Sequence, residues 1–493
     1  MRQLFRTLKI ENGKMIATGL AVMLAVLLSS PATAQQEGLD ARDISLAVET
    51  ELLVDEAVPS HLIDVETTDG IVTLTGSVDN ILARDRAERV AETIKGVRGV
   101  INKVTVEPVM RTDEKLYEDV HNALMYDPAT EGFEIEVDVD NGLVRLDGEV
   151  ESWQEKQLAS TVAKGVIGVR EVENRITIDY PEERSDYEIK QDVKRRLDTD
   201  VWVDEADIEV SVDDGNVNLD GIVGSAAEKR WARYDAWVYG AESVDVDNLD
   251  VEWFAKDAMK RKQNYEDVSD QDIKQAIKDA LYYDPRVYSF NLEVTVDEGA
   301  ATLAGEVDNL KAKTAAAEDA SNVLGVWRVN NHIKVRPEVE LTNAKLEKKV
   351  NDAILRDPYL QLYEVEVDAR NGMVYLNGKV NSLFEKQHAE DVAERVKGVV
   401  DVVNYVDYQG DWERKSDWAL RQDVWHHLYW SPFVEETEVE IKVDNGVVTL
   451  EGEVDTWIER MSAEENAYEA GAKNVLNDLG VASLNPFSFM PQY

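Results

Sequence analysis

The sequence predicts an α+β protein made of tandem small αββαβ domains, six of them in a chain of 493 residues. Three observations predict it: glycines at a recurring spacing, apolar alternation around the first glycine of each set, and helix-start signatures after the second. An Asp-Gly, Asn-Gly or Glu-Gly pair is followed six positions later by another glycine. These pairs are Gly70/Gly76, Gly142/Gly148, Gly215/Gly221, Gly299/Gly305, Gly372/Gly378 and Gly446/Gly452. A third glycine follows at a near-constant further distance, at Gly96, Gly168, Gly240, Gly325, Gly398 and Gly471.

Each landmark maps to an element. In the second repeat Phe133, Ile135, Val137 and Val139 alternate with acids up to Asn141-Gly142, and Val144, Leu146 and Val150 alternate after it. Period-two alternation about an Asn-Gly pair is a hairpin with a primed turn, both central residues taking positive φ. Val439, Ile441 and Val443 before Asn445-Gly446, with Val448, Leu450 and Val454 after it, repeat the pattern. A second helix then opens on a capping box, as in Ser152/Glu155, Ser225/Glu228, Ser382/Glu385 and Thr456/Glu459. The third glycine is expected to end that helix, before a short strand such as Val172–Ile178. Ahead of each hairpin an amphipathic stretch such as Leu116–Met125 forms the first helix, often closed by a proline (Pro128, Pro285, Pro358, Pro432).

A longer period lies above the short one. The spans Gly76–Gly305, Gly148–Gly378 and Gly221–Gly452 agree with one another to within two positions. Val78-Asp79-Asn80 recurs as Val307-Asp308-Asn309, and Glu155-Lys156-Gln157 as Glu385-Lys386-Gln387. A block of three domains has been duplicated whole. The expected boundaries are 1–34 for a signal peptide, then domains at 40–108, 113–180, 185–254, 269–337, 342–409 and 416–482. A basic linker fills 255–268 and a tail 483–493.

Composition narrows the chemistry. With 53 Lys and Arg against 99 Asp and Glu, a net charge of −46 argues against nucleic acid, whose phosphates need clustered cations. No cysteine is present, which removes disulfides, thiolate metal sites and thiol catalysis. The leader carries Arg2, Arg6, Lys9 and Lys14, an apolar run Met15–Leu28 and small residues at Ala32-Thr33-Ala34, the pattern of a cleaved export signal. That run is shorter than the roughly 20 apolar residues that span a bilayer, although retention as an anchor is the alternative. Cleavage removes the four cations and Glu11 and leaves the acidic excess intact, in the periplasm or outside the cell.

At this point the residues resemble a family. Gly-Val/Ala-x-x-Val-x-Asn after the second helix, at Gly96–Asn102, Gly168–Asn174, Gly325–Asn331, Gly398–Asn404 and Gly471–Asn477, is similar to the BON (bacterial osmotic-stress and nodulation) domain. The hairpin core Gly446–Gly452 resembles it too. The third repeat departs, with Val246 in the asparagine position and Asn248 two positions later, and Ala301 weakens the fourth hairpin. The resemblance covers about residues 40–482. It implies a three-stranded mixed sheet packed with two helices in each unit. It also implies a non-enzymatic, exported or envelope-associated protein, with phospholipid as a ligand of some members.

Lys256, Lys260, Arg261 and Lys262 give the linker a local charge of +3 over residues 255–264. They are either an anionic-lipid or partner contact or a solvated joint. Trp153 and Trp457 sit at second-helix starts, and Trp418, Trp425 and Trp430 share the sixth repeat's first helix. Such aromatics either grip a membrane or partner or pack between repeats too small to bury much alone. Acids beside the turns, such as Asp138 and Asp140, lack the spacing of a calcium loop. The six histidines show no metal-ligand spacing, and no nucleophile elbow or phosphate loop is present. The recurring glycines are structural.

The sequence reading is therefore a non-enzymatic exported protein without cofactor or small-molecule substrate. It acts at the bacterial cell envelope by multivalent contact with phospholipid membrane, and osmotic or envelope stress enters from the resemblance alone. The alternative is a periplasmic scaffold for an envelope protein. A third reading is a highly charged polyelectrolyte suited to saline surroundings.

Overall fold

A computed structural model describes residues 39–481 apart from 131, 205–206, 254–267, 288–290, 338–340, 409–414 and 455–456. The predicted signal segment, the four linker cations Lys256, Lys260, Arg261 and Lys262, the cap Thr456 and the tail lie outside the described residues.

Six copies of helix–strand–strand–helix–strand follow one another. The first helices are α1 (Ala41–Val54), α3 (Asp113–Tyr126), α5 (Asp186–Thr199), α7 (Asp270–Tyr283), α9 (Asn343–Arg356) and α11 (Asp417–Trp430). The second helices are α2 (Ile81–Glu92), α4 (Trp153–Lys164), α6 (Ala226–Asp235), α8 (Leu310–Ser321), α10 (Leu383–Glu394) and α12 (Trp457–Glu469). In every repeat the second strand of the hairpin is central. It pairs antiparallel with the first, as Thr68 opposite Ile71, and parallel with the last, as Ile71 opposite Gly99. The three-stranded mixed sheet with two helices is thus the repeating unit.

The turns are primed. Asp69 and Gly70 have φ of 50° and 76°, and the other five pairs match them. Sequence supplies a further brace: Asp186 accepts from the N–H groups of Asp214 and Gly215 at 3.1 and 2.9 Å, tying the start of α5 to the turn. Asp270 and Asp417 do the same in their repeats. Asp138, by contrast, pairs with Arg145 across the hairpin at 2.9 Å.

The second glycine of each pair answers to a different demand. Gly221 has φ of 137°, and a Cβ there would stand 1.9 Å from the carbonyl oxygen of Asp207. The chain entering the hairpin crosses too close for any side chain.

The family asparagine also has a purpose. Asn404 donates to the carbonyl of Lys386 in α10 at 2.7 Å and accepts from the N–H of Val406 at 3.1 Å, clamping strand to helix. Asn102, Asn174, Asn331 and Asn477 repeat both bonds. Where Val246 breaks the pattern, Lys229 reaches the carbonyl of Leu249 instead at 2.7 Å.

The third glycine corrects an expectation. It keeps its positive φ, but α2 ends at Glu92 and α4 at Lys164, four positions before Gly96 and Gly168. The stretch between is a tight turn, and in four of the repeats the N–H preceding the glycine bonds outside its own repeat.

Candidate functional site

Each repeat has its own apolar core, such as Val350, Leu376, Ala389 and Val406 in the fifth. What is unusual lies at the seams between cores. The last carbonyls of a helix have no partner within it, and here another repeat supplies one. Lys95 N–H donates to Trp430 O at 2.9 Å, Ile167 to Arg356 at 2.7 Å, Leu324 to Thr199 at 2.9 Å and Lys397 to Tyr126 at 3.4 Å. Every donor precedes a third glycine, and every acceptor is the last residue of a first helix. Repeats one and six, two and five, and three and four are thereby joined, and the second-to-fifth seam carries the bond in both directions.

Side chains complete the seams. Trp153 stacks on Trp237 at 5.2 Å with planes 4° apart and meets the edge of Tyr234, while Gln154 beside it donates to Trp237 O at 2.7 Å. Its indole is thus half-buried between the second and third repeats. Trp457 opens α12, and its side chain lies outside what is described. Lys164 bridges to Asp85 of the first repeat at 2.7 Å, and Lys311 to Asp391 of the fifth at 2.9 Å. Burial alone would raise Asp391, but Arg395 and Lys311 hold it down to about 2.

Two cavities open at equivalent seams. One, of about 470 Å³, lies where the third and fourth repeats meet, and holds Arg195, Arg196, Arg286, Asp235, Asp279 and Asp319. Arg196 pairs with Asp235 at 2.8 Å and stacks 4.9 Å from the centre of the Tyr283 ring. Burial pushes Asp235 up to about 6 in spite of that arginine, and burial with neighbouring Asp284 lifts Asp319 well above its ordinary value. The other cavity, of about 350 Å³, lies where the first and sixth repeats meet and is lined by Glu51, Arg86, Arg89, Arg230, His427 and Glu469, among others. Arg86 is held by Asp55 at 2.7 Å and Arg230 by Glu92 at 2.6 Å. Each cavity sets charges of both signs against aromatic walls, a lining suited to locking repeats together or to a small polar ligand.

The outward surface adds one recurrent feature. Tyr187 and Trp418 occupy the second position of α5 and α11, matching places in the two blocks, and are 72% and 67% exposed. Trp425 is partly exposed and Trp430 buried, so the tryptophans of α11 divide between surface and seam. Sequence reading missed Tyr187, although the block correspondence with Trp418 was available to find it. Among the described residues, no helix is long and apolar enough to cross a membrane.

Comparison with known proteins matches the BON domain to residues 40–108, 112–180, 185–252, 269–337, 342–410 and 416–483. The chain belongs to the BON domain family. Osmotically-inducible protein Y of Escherichia coli is 28% identical over 143 residues, 28% of this chain and 71% of that protein. Outer membrane lipoprotein DolP of Haemophilus influenzae is 25% identical over 146 residues, 29% of this chain and 75% of that one. The 21 kDa hemolysin of Actinobacillus pleuropneumoniae is 26% identical over 121 residues, covering 24% and 62%. Among solved structures, CdsD, a structural protein of the type III secretion system of Chlamydia trachomatis, is 16% identical at a TM-score of 0.13, over 45% of this chain and 93% of that one. The three curated relatives each match this BON chain over a stretch about two repeats long.

Proposed function

We propose that this six-repeat BON protein is non-enzymatic and works at the bacterial cell envelope, contacting phospholipid membrane through several repeats at once under osmotic or envelope stress. The observation that carries the reading is the exposed pair Tyr187 and Trp418, set at matching places in the two halves of an otherwise acidic molecule. Amphipathic rings of this kind partition to the headgroup level of a bilayer. Two such contacts on one seam-locked body raise avidity without new chemistry. The names of two relatives, an osmotically inducible protein and an outer membrane lipoprotein, support the stress and the envelope parts of this reading respectively. The acidic surface repels anionic headgroups, which leaves the aromatics, with Lys256, Lys260, Arg261 and Lys262, as the points of contact. Trp153 and Trp457 remain proposed as secondary contacts.

A second reading is a scaffold for an envelope protein. It is favoured by the outer strands, such as Ile63–Thr68, which pair on one side only and offer an edge for strand addition.

Co-flotation of the full chain with vesicles tests both. Binding to phosphatidylglycerol or cardiolipin vesicles that falls on Tyr187→Ala with Trp418→Ala supports membrane contact through the aromatics, and binding abolished by salt assigns it to the basic linker. Absence of flotation with every vesicle rejects the lipid reading and leaves the scaffold.

A further inference from the structure

The cavity between the first and sixth repeats contains three side chains brought together from opposite ends of the described chain. Glu51 lies near the end of α1, His427 in the last turn of α11 and Glu469 at the end of α12. One ligating atom from each lies within 4.8 Å of the other two.

His427 is the informative member. It is only 3% exposed, and its Nδ1 stands 2.9 Å from Oε1 of Glu51. Despite that distance Nδ1 makes no well-formed hydrogen bond. The two form an ion pair when the ring is protonated, but a buried ring nitrogen set off the hydrogen-bond axis of its carboxylate is poorly satisfied. Two donors on a common metal ion stand in this relation. With bonds of about 2.0–2.2 Å and tetrahedral angles, neighbouring ligand atoms lie about 3.3–3.6 Å apart while their lone pairs converge on a third point, so the pair need part by only a few tenths of an ångström. Three of the nearby cations are held by other carboxylates: Arg86 by Asp55, Arg230 by Glu92, and Lys415 by Asp423 at 2.7 Å.

The twin seam sharpens the contrast. By the block correspondence that aligns Gly76 with Gly305 and Gly221 with Gly452, the places of Glu51, His427 and Glu469 are taken by Ala280, Arg196 and Val238 between the fourth and third repeats. There Arg196 is held within its own repeat by Asp235 and lies over the Tyr283 ring of the fourth repeat. All three donor positions therefore differ together between two seams of common origin, and an imidazole stands where the twin seam has its buried guanidinium.

We propose that Glu51, His427 and Glu469 bind a divalent transition ion of the zinc type, clipping the first repeat to the last. One imidazole and two carboxylates suit such an ion, and a ligand set of nitrogen and oxygen distinguishes it from the all-oxygen sites of calcium. The ion would hold the seam that Lys95 and Trp430 already join through their backbones.

The test is titration of the full chain with Zn²⁺ by calorimetry, and with Co²⁺ by visible absorption, in high salt and excess Mg²⁺ to suppress diffuse attraction to the acidic surface. A single saturable Zn²⁺ site is expected. Glu469→Gln, a change at the solvent edge, should weaken it by about 100-fold or more, since even an outer-shell partner is worth roughly 10–100-fold. His427→Gln should abolish the Co²⁺ spectrum of a nitrogen ligand. Glu465→Gln, a neighbouring acid outside the set, should leave affinity unchanged. Absence of saturable binding in the parent chain overturns the proposal and leaves His427 and Glu51 as a plain ion pair. A Glu469→Gln affinity equal to the parent's overturns it too, as does a loss in Glu465→Gln as large as in Glu469→Gln.

Discussion

The backbone N–H of Lys95 donates to the carbonyl of Trp430 at 2.9 Å, so the first repeat satisfies the end of a helix in the last. The bond recurs at the other seams with the residue before Gly168, Gly325 or Gly398 as donor. A short turn between second helix and strand therefore has two purposes: it redirects the chain, and it aims one donor at a neighbouring repeat. Small domains bury little surface alone, and mutual helix capping gives this chain a way to combine them.

The buried pair Arg196–Asp235, inside the third repeat and lining the cavity it shares with the fourth, should be highly sensitive to substitution. Asp235→Ala leaves the guanidinium buried with its charge unmatched and is expected to cost about 3–5 kcal/mol. Arg196→Met together with Asp235→Leu should cost less than the single change, because no uncompensated charge remains. Urea denaturation of the three proteins gives the comparison directly, and equal losses would contradict it.

At Gly221 an alanine Cβ would meet the Asp207 carbonyl at 1.9 Å, with φ at 137°. Gly221→Ala is expected to destabilise the third repeat by about 3 kcal/mol or more. At Gly132 nothing lies within 4 Å of the added carbon, and Gly132→Ala should stay within about 0.5 kcal/mol of the parent. Thermal melts of the two variants should separate cleanly.

Asn404→Ala removes the donor to Lys386 O and the acceptor for Val406 N–H. Loss of these bonds, with the one Asn404 donates to Glu390 at 3.2 Å, should cost about 1–3 kcal/mol. The effect should be confined to the fifth repeat, so hydrogen exchange is expected to rise first in Asp401–Tyr408 and α10.

Asp391 supplies a pH dependence with a definite sign. Burial opposes its charge, yet Arg395 and Lys311 depress it from an ordinary 3.8 to about 2. A depressed carboxyl stabilises the fold fully above its unfolded value and loses that contribution as pH falls from about 4 toward 2. Parent and Asp391→Asn should differ by about 1–2 kcal/mol near neutrality. The gap should narrow on acidification to pH about 3. A gap independent of pH would show that the carboxylate is not charged against Lys311 in the fold.

The repeat count, the primed hairpins and the helix starts were legible in the residues, because each is decided within a few positions. Asn141-Gly142 sets its own turn, and Ser152 with Glu155 closes its own capping box. The second glycine's spacing was equally visible, but its reason, the approach of a carbonyl such as that of Asp207, was not. The end of the second helix was placed too late, since the third glycine belongs to the turn beyond it. Trp153 was marked as a helix-start aromatic, and only packing set it against Trp237.

The sequence by itself determined the unit, its number and the duplication of a three-repeat block, since hairpins, caps and periodic apolar faces are local properties. Tertiary structure alone decided which repeats meet. The acceptors Trp430, Arg356, Thr199 and Tyr126 are ordinary helix ends in the sequence, distinguished only by the N–H that reaches each of them. The gathering of Glu51, His427 and Glu469 is of the same kind. Residues separated by most of the chain share no periodicity, and their proximity is a consequence of how six finished units pack.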